Sequence, residues 1–160
     1  MTLEISIQLL EQIHRDGEAA YPEESAGLIL GAVDGELRRA KAIFPLSNAR
    51  EDAARHNRYL ITAQDMLHGE QEALRRGLAV LGIFHSHPDH PNRPSEFDRE
   101  WALPWFSYLI TSVHSGVAVE SRSWRLRDDR SSFEEEIIVL NEESKGETDA
   151  SLLCTPPACS

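Results

Sequence analysis

The sequence feature that most constrains the fold is a pair of histidines, His85 and His87, at the end of an apolar run. The run covers residues 78–84 and leads directly into His85-Ser86-His87-Pro88. In a regular strand, side chains two residues apart share one face, so both imidazoles point the same way while Ser86 points the other way. Pro88 cannot extend the ladder and turns the chain. The pattern therefore predicts a strand whose end presents two metal-binding imidazoles to solvent and substrate.

Asp98 is the third candidate ligand, and it follows a proline-rich turn. Imidazole nitrogens and a carboxylate oxygen are typical ligands of catalytic zinc, which keeps a fourth position open for water. Ser95-x-x-Asp98 also has the pattern of a helix capping box, which would give the Asp98 side chain a fixed direction. His90 lies between two prolines, and we expect it at the rim of the site. Together these residues predict a metal centre.

A general base is the next requirement, because a zinc-bound water must lose a proton, usually to a carboxylate that does not bind the metal. Glu23 and Glu24 are the candidates, since they closely precede the apolar run Ala26–Gly31, which predicts a buried strand. An acidic side chain has few structural reasons to lie there. Spacing and composition leave the choice between the two glutamates open.

Length and composition predict one soluble domain. A chain of 160 residues can fold without disulfides, and its 41% hydrophobic and 27% charged content is near the globular average. The formal net charge of -11 argues against a nucleic-acid partner. There is no apolar run long enough to span a bilayer, and the N-terminus lacks a basic segment followed by an apolar one. We therefore expect a cytoplasmic protein with no membrane partner. The sequence does not indicate an oligomeric state.

The last part of the chain, residues 141–160, is rich in polar, small and proline residues and predicts a flexible tail. The folded domain is accordingly predicted to cover residues 1–140. Cys154 and Cys159 both lie in the tail. We interpret them as free thiols, because two cysteines make neither a disulfide framework nor a four-ligand zinc site.

The order of the predicted elements indicates an α/β domain with a single mixed β-sheet flanked by helices. Ser6 is a candidate N-cap for a first helix that ends near residue 20, Thr62 for a second over residues 63–76, and Ser95 for a short third. The apolar face of the second helix is predicted to comprise Met66, Leu67, Ala73 and Leu74. Strands are predicted over residues 26–31, 36–44, 78–84, 106–113, 117–126 and 133–140.

The candidate site residues together resemble the JAMM (MPN-plus) metalloprotease motif, which is a glutamate, then His-Ser/Thr-His, seven residues, and Ser-x-x-Asp. The match is complete at Glu24, His85, His87, Ser95 and Asp98. In that family the catalytic glutamate stands two residues after a proline, as Glu24 does after Pro22. The resemblance therefore selects Glu24 over Glu23. It covers most of residues 1–140.

The resemblance implies a β-sheet domain flanked by helices, with a cytidine-deaminase-like architecture, and one catalytic Zn2+ per chain. His85, His87 and Asp98 would be the zinc ligands, with water as the fourth. Glu24 would take the proton from that water and pass it to the departing amine. Ser95 would donate a hydrogen bond to the oxyanion of the tetrahedral intermediate.

The compact chain is similar to the stand-alone bacterial branch of the family, which cleaves the bond after the Gly-Gly tail of small ubiquitin-like sulfur-carrier proteins. The resemblance implies a partner of this kind, whose extended tail would reach the zinc by adding to a sheet edge. Eukaryotic deubiquitinating relatives hold ubiquitin chains with long insertions, which this chain lacks, so polyubiquitin is disfavoured. The polar segment Pro45–Arg58 is either the contact surface for the folded carrier or a solvated connection.

Other functions fit the sequence less well. A zinc hydrolase of a small peptide or amide conjugate would need no protein partner. A non-catalytic MPN-type binding module typically loses motif residues, and this chain keeps all of them. The RadC-type relatives linked to DNA repair carry a similar motif, but the acidic charge argues against that setting. Nucleoside deamination is disfavoured because no Pro-Cys-x-x-Cys follows the histidines.

Overall fold

Seven strands and three helices make up residues 1–46 and 61–142, the part of the chain that the computed structural model describes. The strands are β1 (Thr2–Ser6), β2 (Ala26–Asp34), β3 (Leu37–Leu46), β4 (Ala79–Pro88), β5 (Ser107–His114), β6 (Val117–Leu126) and β7 (Phe133–Asn141). The helices are α1 (Ile7–Ala20), α2 (Ala63–Arg75) and α3 (Glu96–Trp101). Within this part of the chain, each helix is too short or too polar to cross a membrane.

One mixed sheet closes on itself in the order β1-β3-β2-β4-β5-β6-β7, because β1 pairs in parallel with both β3 and β7. The strands β4 and β5 are also parallel, and the other neighbours are antiparallel. The predicted class, an α/β domain with helices flanking one mixed sheet, is confirmed. The predicted order of elements starts with a helix, which is wrong because β1 comes first. The sequence signal for β1 is the alternation of Leu3 and Ile5, which are both fully buried, with polar residues.

The two faces of the sheet are covered by different helices. On β2, Ile29 belongs to the apolar cluster that includes Leu9 and Ile13 of α1. The neighbouring Leu28 belongs to the other cluster, which includes Ala73 of α2. Because successive side chains of a strand point to opposite faces, β2 is buried on both. This explains why its sequence is a continuous apolar run rather than an alternating one.

The N-caps of all three helices agree with the prediction, but the predicted apolar face of α2 is partly wrong. Leu67 and Leu74 are 51% and 79% exposed, respectively, whereas Gly69 and Ala73 are buried. The helix packs closely on β2, and a Cβ on Gly69 would lie 2.0 Å from Leu28 Cδ1. The buried face is therefore built around small residues, and both leucines lie off it, with Leu74 about 100° from Ala73 and Leu67 about 160° from Gly69 around the helix axis.

Both histidines of the motif lie inside β4. The prediction that Pro88 stops the pairing is wrong, because β4 continues through Pro88, which aligns with Val113, and the Asp89 amide supplies the next hydrogen bond to the Val113 carbonyl. In the register of the sheet, His85 is flanked by Ala26 of β2 and Ile110 of β5. The side chains are consequently buried, with His85 1% and His87 7% exposed. The expectation that the imidazoles are open to solvent is therefore corrected: β4 is a central strand up to the histidines, and only His87 faces a cleft.

In the predicted contact segment Pro45–Arg58, Pro45 and Leu46 belong to β3 rather than to a loop. Residues 47–58 of that segment lie outside the described residues. The predicted tail, residues 141–160, also starts too early, because Asn141 belongs to β7. Residues 143–160, with Cys154 and Cys159, lie outside the described residues.

Candidate metal centre

The two histidines of β4 and an aspartate of α3 converge as the motif predicts. The candidate ligand atoms of His85, His87 and Asp98 all lie within 4.8 Å of one another. His85 Nε2 is 3.6 Å from Asp98 Oδ1, and His87 Nε2 is 3.5 Å from Asp98 Oδ2. The carboxylate therefore lies between the two Nε2 atoms, and all three residues are buried.

The direction of the Asp98 carboxylate is set by the first turn of α3. The Ser95 amide donates to Asp98 Oδ2 over 2.6 Å, and the Asp98 amide donates to Ser95 Oγ over 3.1 Å. This reciprocal pair is the predicted capping box. The same two residues thus start the helix and aim the carboxylate at the histidines.

The protonation states of Asp98 and His85 suit metal ligation. Burial raises the pKa of Asp98, but His85, His87 and the Ser95 amide outweigh burial, so the pKa is well below its usual range. Burial lowers the pKa of His85 to about 4, which keeps this imidazole neutral. Burial also acts to lower the pKa of His87, but Asp98 and the Pro91 carbonyl outweigh it and the pKa is raised. An ionised carboxylate and a neutral imidazole are forms that bind a cation.

The tautomer of His87 is set by a backbone carbonyl. His87 Nδ1 lies 2.7 Å from the carbonyl oxygen of Pro91, which can only accept, so Nδ1 carries the hydrogen. The lone pair of the neutral ring is then on Nε2, the nitrogen that points toward Asp98. Histidines that bind metals typically donate their other ring nitrogen in this way. Sequence reasoning missed Pro91, because a backbone acceptor leaves no signal in residue identity.

The donor set fits a catalytic divalent cation. Two imidazole nitrogens and one carboxylate oxygen are the chemistry that zinc accepts, and three protein ligands leave a position for water. In the described part of the chain, these three residues form the group with the right donors and spacing. A buried carboxylate between two imidazoles also needs positive charge nearby, which a cation supplies.

Glu24 lies next to this group because of the pairing between β2 and β4. The Ser25 amide donates to Ser86 Oγ over 2.8 Å, and the Ser86 amide donates to the Ser25 carbonyl over 3.1 Å. These bonds join residues that are 61 positions apart in the chain. They align Ser86, between the two histidines, with the residue that follows Glu24.

A cleft of about 540 Å³ opens beside the metal group. Its walls include Glu24, His87, His90, Arg93, Ser95 and Phe97. Glu24 is buried in the wall, and Ser95 is at the exposed edge. His90 is exposed and does not belong to the ligand group, so its predicted place at the rim is confirmed. All five motif residues therefore lie at or beside one cleft, and His90 lies at its rim.

The turn that carries Glu24 is also tied to the loop that follows the histidines. The Tyr21 hydroxyl donates to Asp89 Oδ2 over 2.6 Å, and the Ser115 amide donates to Asp89 Oδ1 over 2.8 Å. Asp89 adopts a left-handed backbone conformation with φ of 56°. Aspartate tolerates that conformation better than most residues, which is the sequence signal that could have identified this contact.

The chain belongs to a known protein family. Residues 6–127 match the family described as prokaryotic homologs of the JAB domain. This span contains all five motif residues, and it confirms the family resemblance that the motif predicts. A curated protein of Thermus thermophilus, named a probable TtuB-protein conjugate cleaving protease, is 27% identical over 117 residues. That alignment covers 71% of this chain and 74% of the relative.

Solved structures agree with the fold. A protein from Salinibacter ruber is 40% identical, with 88% of this chain and 93% of that chain covered and a TM-score of 0.69. Protein DSY2949 from Desulfitobacterium hafniense is 29% identical, with coverage of 91% and 97% and a TM-score of 0.79. The JAB1/MPN domain protein AF2198 from Archaeoglobus fulgidus is 20% identical, with coverage of 86% and 96% and a TM-score of 0.51, and supports the fold alone.

Replacing His87 by alanine should abolish stoichiometric zinc binding, because it removes one of the three candidate ligand atoms. His90→Ala is the matched control, since it removes an imidazole from the rim of the same cleft. We expect one zinc per chain in the wild type and in His90→Ala, measured by elemental analysis after dialysis against metal-free buffer. Stoichiometric zinc in His87→Ala would contradict the ligand assignment.

Proposed function

Because the chain belongs to the prokaryotic homologs of the JAB domain, we propose that it is a zinc-dependent protease. Its substrate is a small sulfur-carrier protein, and it hydrolyses the bond that follows the Gly-Gly tail. The observation that carries this proposal is the buried group of His85, His87 and Asp98 beside a cleft lined by Glu24 and Ser95. A ligand group without an adjacent base would fit a structural metal equally well.

His85 Nε2, His87 Nε2 and one carboxylate oxygen of Asp98 would hold the zinc ion. When bound, zinc lowers the pKa of a coordinated water to near 7 and polarises the scissile carbonyl. The three side chains contribute a net charge of -1, so the loaded centre is a cationic site in a buried environment. Such a site favours the negative charge that develops on the carbonyl oxygen during hydrolysis.

Glu24 is the general base and then the general acid. Its carboxylate takes a proton from the attacking water as the new C–O bond forms. It then gives that proton to the departing amine nitrogen as the C–N bond breaks, so the carboxylate is regenerated. Its position supports this role, because the carboxylate lies in the wall of the same cleft as His87, beside the metal group.

Ser95 stabilises the oxyanion. Its Oγ accepts the Asp98 amide, which holds the oxygen in place while the hydroxyl hydrogen can still be donated. The side chain is exposed at the edge of the cleft, where a substrate carbonyl oxygen could accept that hydrogen. A donor held in advance toward the developing charge lowers the barrier without a cost of reorganisation.

The substrate class rests on the Thermus relative, whose name describes cleavage of TtuB-protein conjugates. A flexible tail ending in Gly-Gly can enter a narrow cleft because glycine has no side chain. The backbone of the tail can be held by strand addition. Among the described residues, the second half of β3 pairs with β2 alone, and Leu46 at its end aligns through Ala26 with His85. An extended tail along this edge would reach the level of His85 along the strand direction, with β3 and β2 between it and β4.

Replacing Glu24 by glutamine should leave one zinc per chain and lower turnover by about a hundredfold or more, because the amide cannot accept the proton. The measurement is the rate of release of a fused reporter from a carrier protein extended beyond Gly-Gly. Glu23→Gln is the matched control, since Glu23 carries the same chemistry one residue away. Full activity in Glu24→Gln, or equal loss in both variants, would exclude Glu24 as the base.

The carrier fusion should be cleaved with a kcat/KM at least about tenfold higher than that of a short Gly-Gly-X peptide, because a folded partner adds contacts outside the cleft. The comparison uses the same leaving group in both substrates. Equal values would favour the alternative of a hydrolase for small peptide or amide conjugates. Binding of the carrier without cleavage of either substrate would favour a non-catalytic binding module.

A further inference from the structure

The loop between β4 and α3 has no regular hydrogen bonding of its own, yet it carries the carbonyl that orients His87. Its first residues, Asp89, His90 and Pro91, are exposed. Exposed loops normally sample several conformations unless other groups hold them. A 2.7 Å bond from His87 Nδ1 to the Pro91 oxygen therefore requires that the loop be held in place from outside.

The carbonyl before Pro91 is held by β5. Ser112 Oγ lies 2.5 Å from the His90 carbonyl oxygen, to which it donates. The Ser112 side chain is buried, and its oxygen also lies 2.9 Å from His114 Nε2. Since the single hydroxyl hydrogen goes to the carbonyl, His114 Nε2 acts as the donor to Ser112. The serine is thus held between two partners.

The carbonyl after Pro91 is held by β6. Trp124 Nε1 donates to the Asn92 carbonyl oxygen over 2.9 Å. The Asn92 side chain, which is 6% exposed, donates from Nδ2 to the Glu120 carbonyl over 3.3 Å. Because Ser112 and Glu120 are paired in the sheet, the contacts on both sides of Pro91 come from one rigid strand pair.

Three successive carbonyls of this loop therefore face three different side-chain donors. We infer that Ser112 and Trp124 are positioning residues of the metal centre, which hold the loop so that the Pro91 carbonyl fixes the orientation and tautomer of His87. The inference rests on the proposed metal centre and goes beyond it, because neither residue belongs to the ligand group. Removal of partners of this kind typically weakens metal binding by tenfold to a hundredfold.

The test compares zinc affinities of the full chain, measured by competition with a chromophoric chelator. Ser112→Ala removes one donor, and Trp124→Phe removes the other while keeping an aromatic ring. We expect each to weaken zinc binding by about tenfold. Trp105→Phe is the matched control, because this tryptophan is 59% exposed and its ring packs against Phe106. Ser112→Ala removes two hydrogen bonds, one to the His90 carbonyl and one to His114, whereas His114→Ala removes only the second. Comparing the two variants isolates the effect of the bond to the His90 carbonyl.

A second measurement distinguishes positioning from general destabilisation. The Nδ1–H resonance of His87, assigned by its absence in His87→Ala, should exchange slowly with water in the zinc-loaded wild type. In Ser112→Ala and Trp124→Phe it should exchange faster, while the backbone amides of β1 and β2 keep their protection. A uniform loss of protection across the sheet would overturn the inference, because it would indicate a purely structural role.

The outcomes separate this inference from the proposed function. If the wild type binds no zinc, the proposed function fails and the inference fails with it. If the wild type binds zinc and both variants bind it equally tightly with unchanged exchange at His87, the metal centre stands and the inference is wrong. If Trp124→Phe does not fold, Ser112→Ala alone decides between the two results.

Discussion

The candidate site depends on the alignment of the start of β2 with the end of β4. Two hydrogen bonds between Ser25 and Ser86 join these strands beside the metal group, and a third contact links their hydroxyls at 3.1 Å. Gly17 of α1 lies against this junction, where a Cβ would approach Ser86 Cβ to 3.3 Å. The glycine lets the helix pack closely over the serine pair. The side chain of Ser86, which points away from the histidines, thereby determines where Glu24 lies relative to them.

Buried charge is the second constraint, and it explains why the ligands have so little freedom. A carboxylate that is 3% exposed is unfavourable unless donors and positive charge surround it. Asp98 has a backbone donor from Ser95 and two imidazoles within 3.6 Å. The same contacts lower its pKa and keep it ionised. The local cost of burying this acid is thus offset by groups that also prepare it to bind a cation.

The sequence predicts best those features that depend on residues close together in the chain. Thr62 and Ser95 were recognisable as helix caps because capping needs a particular side chain at a particular spacing, and the two histidines because alternation in a strand sets their direction. Closure of the sheet through β1 was not predictable, since it depends on pairing between residues far apart in the chain. Exposure of Leu74 depends on how closely α2 approaches β2, and the Pro91 acceptor belongs to the backbone. Neither the exposure of Leu74 nor the role of the Pro91 carbonyl can be predicted from the identity of the residue.

The central claim is that His85, His87 and Asp98 hold one zinc ion and leave a position for water. X-ray absorption at the zinc edge of the loaded full chain tests it most directly. The account predicts only nitrogen and oxygen neighbours, at about 2.0–2.2 Å, with the scattering pattern of two imidazoles. That pattern should fall to one imidazole or be lost in His87→Ala. Sulfur neighbours at about 2.3 Å would contradict the account, because they would place the ion on Cys154 or Cys159 instead.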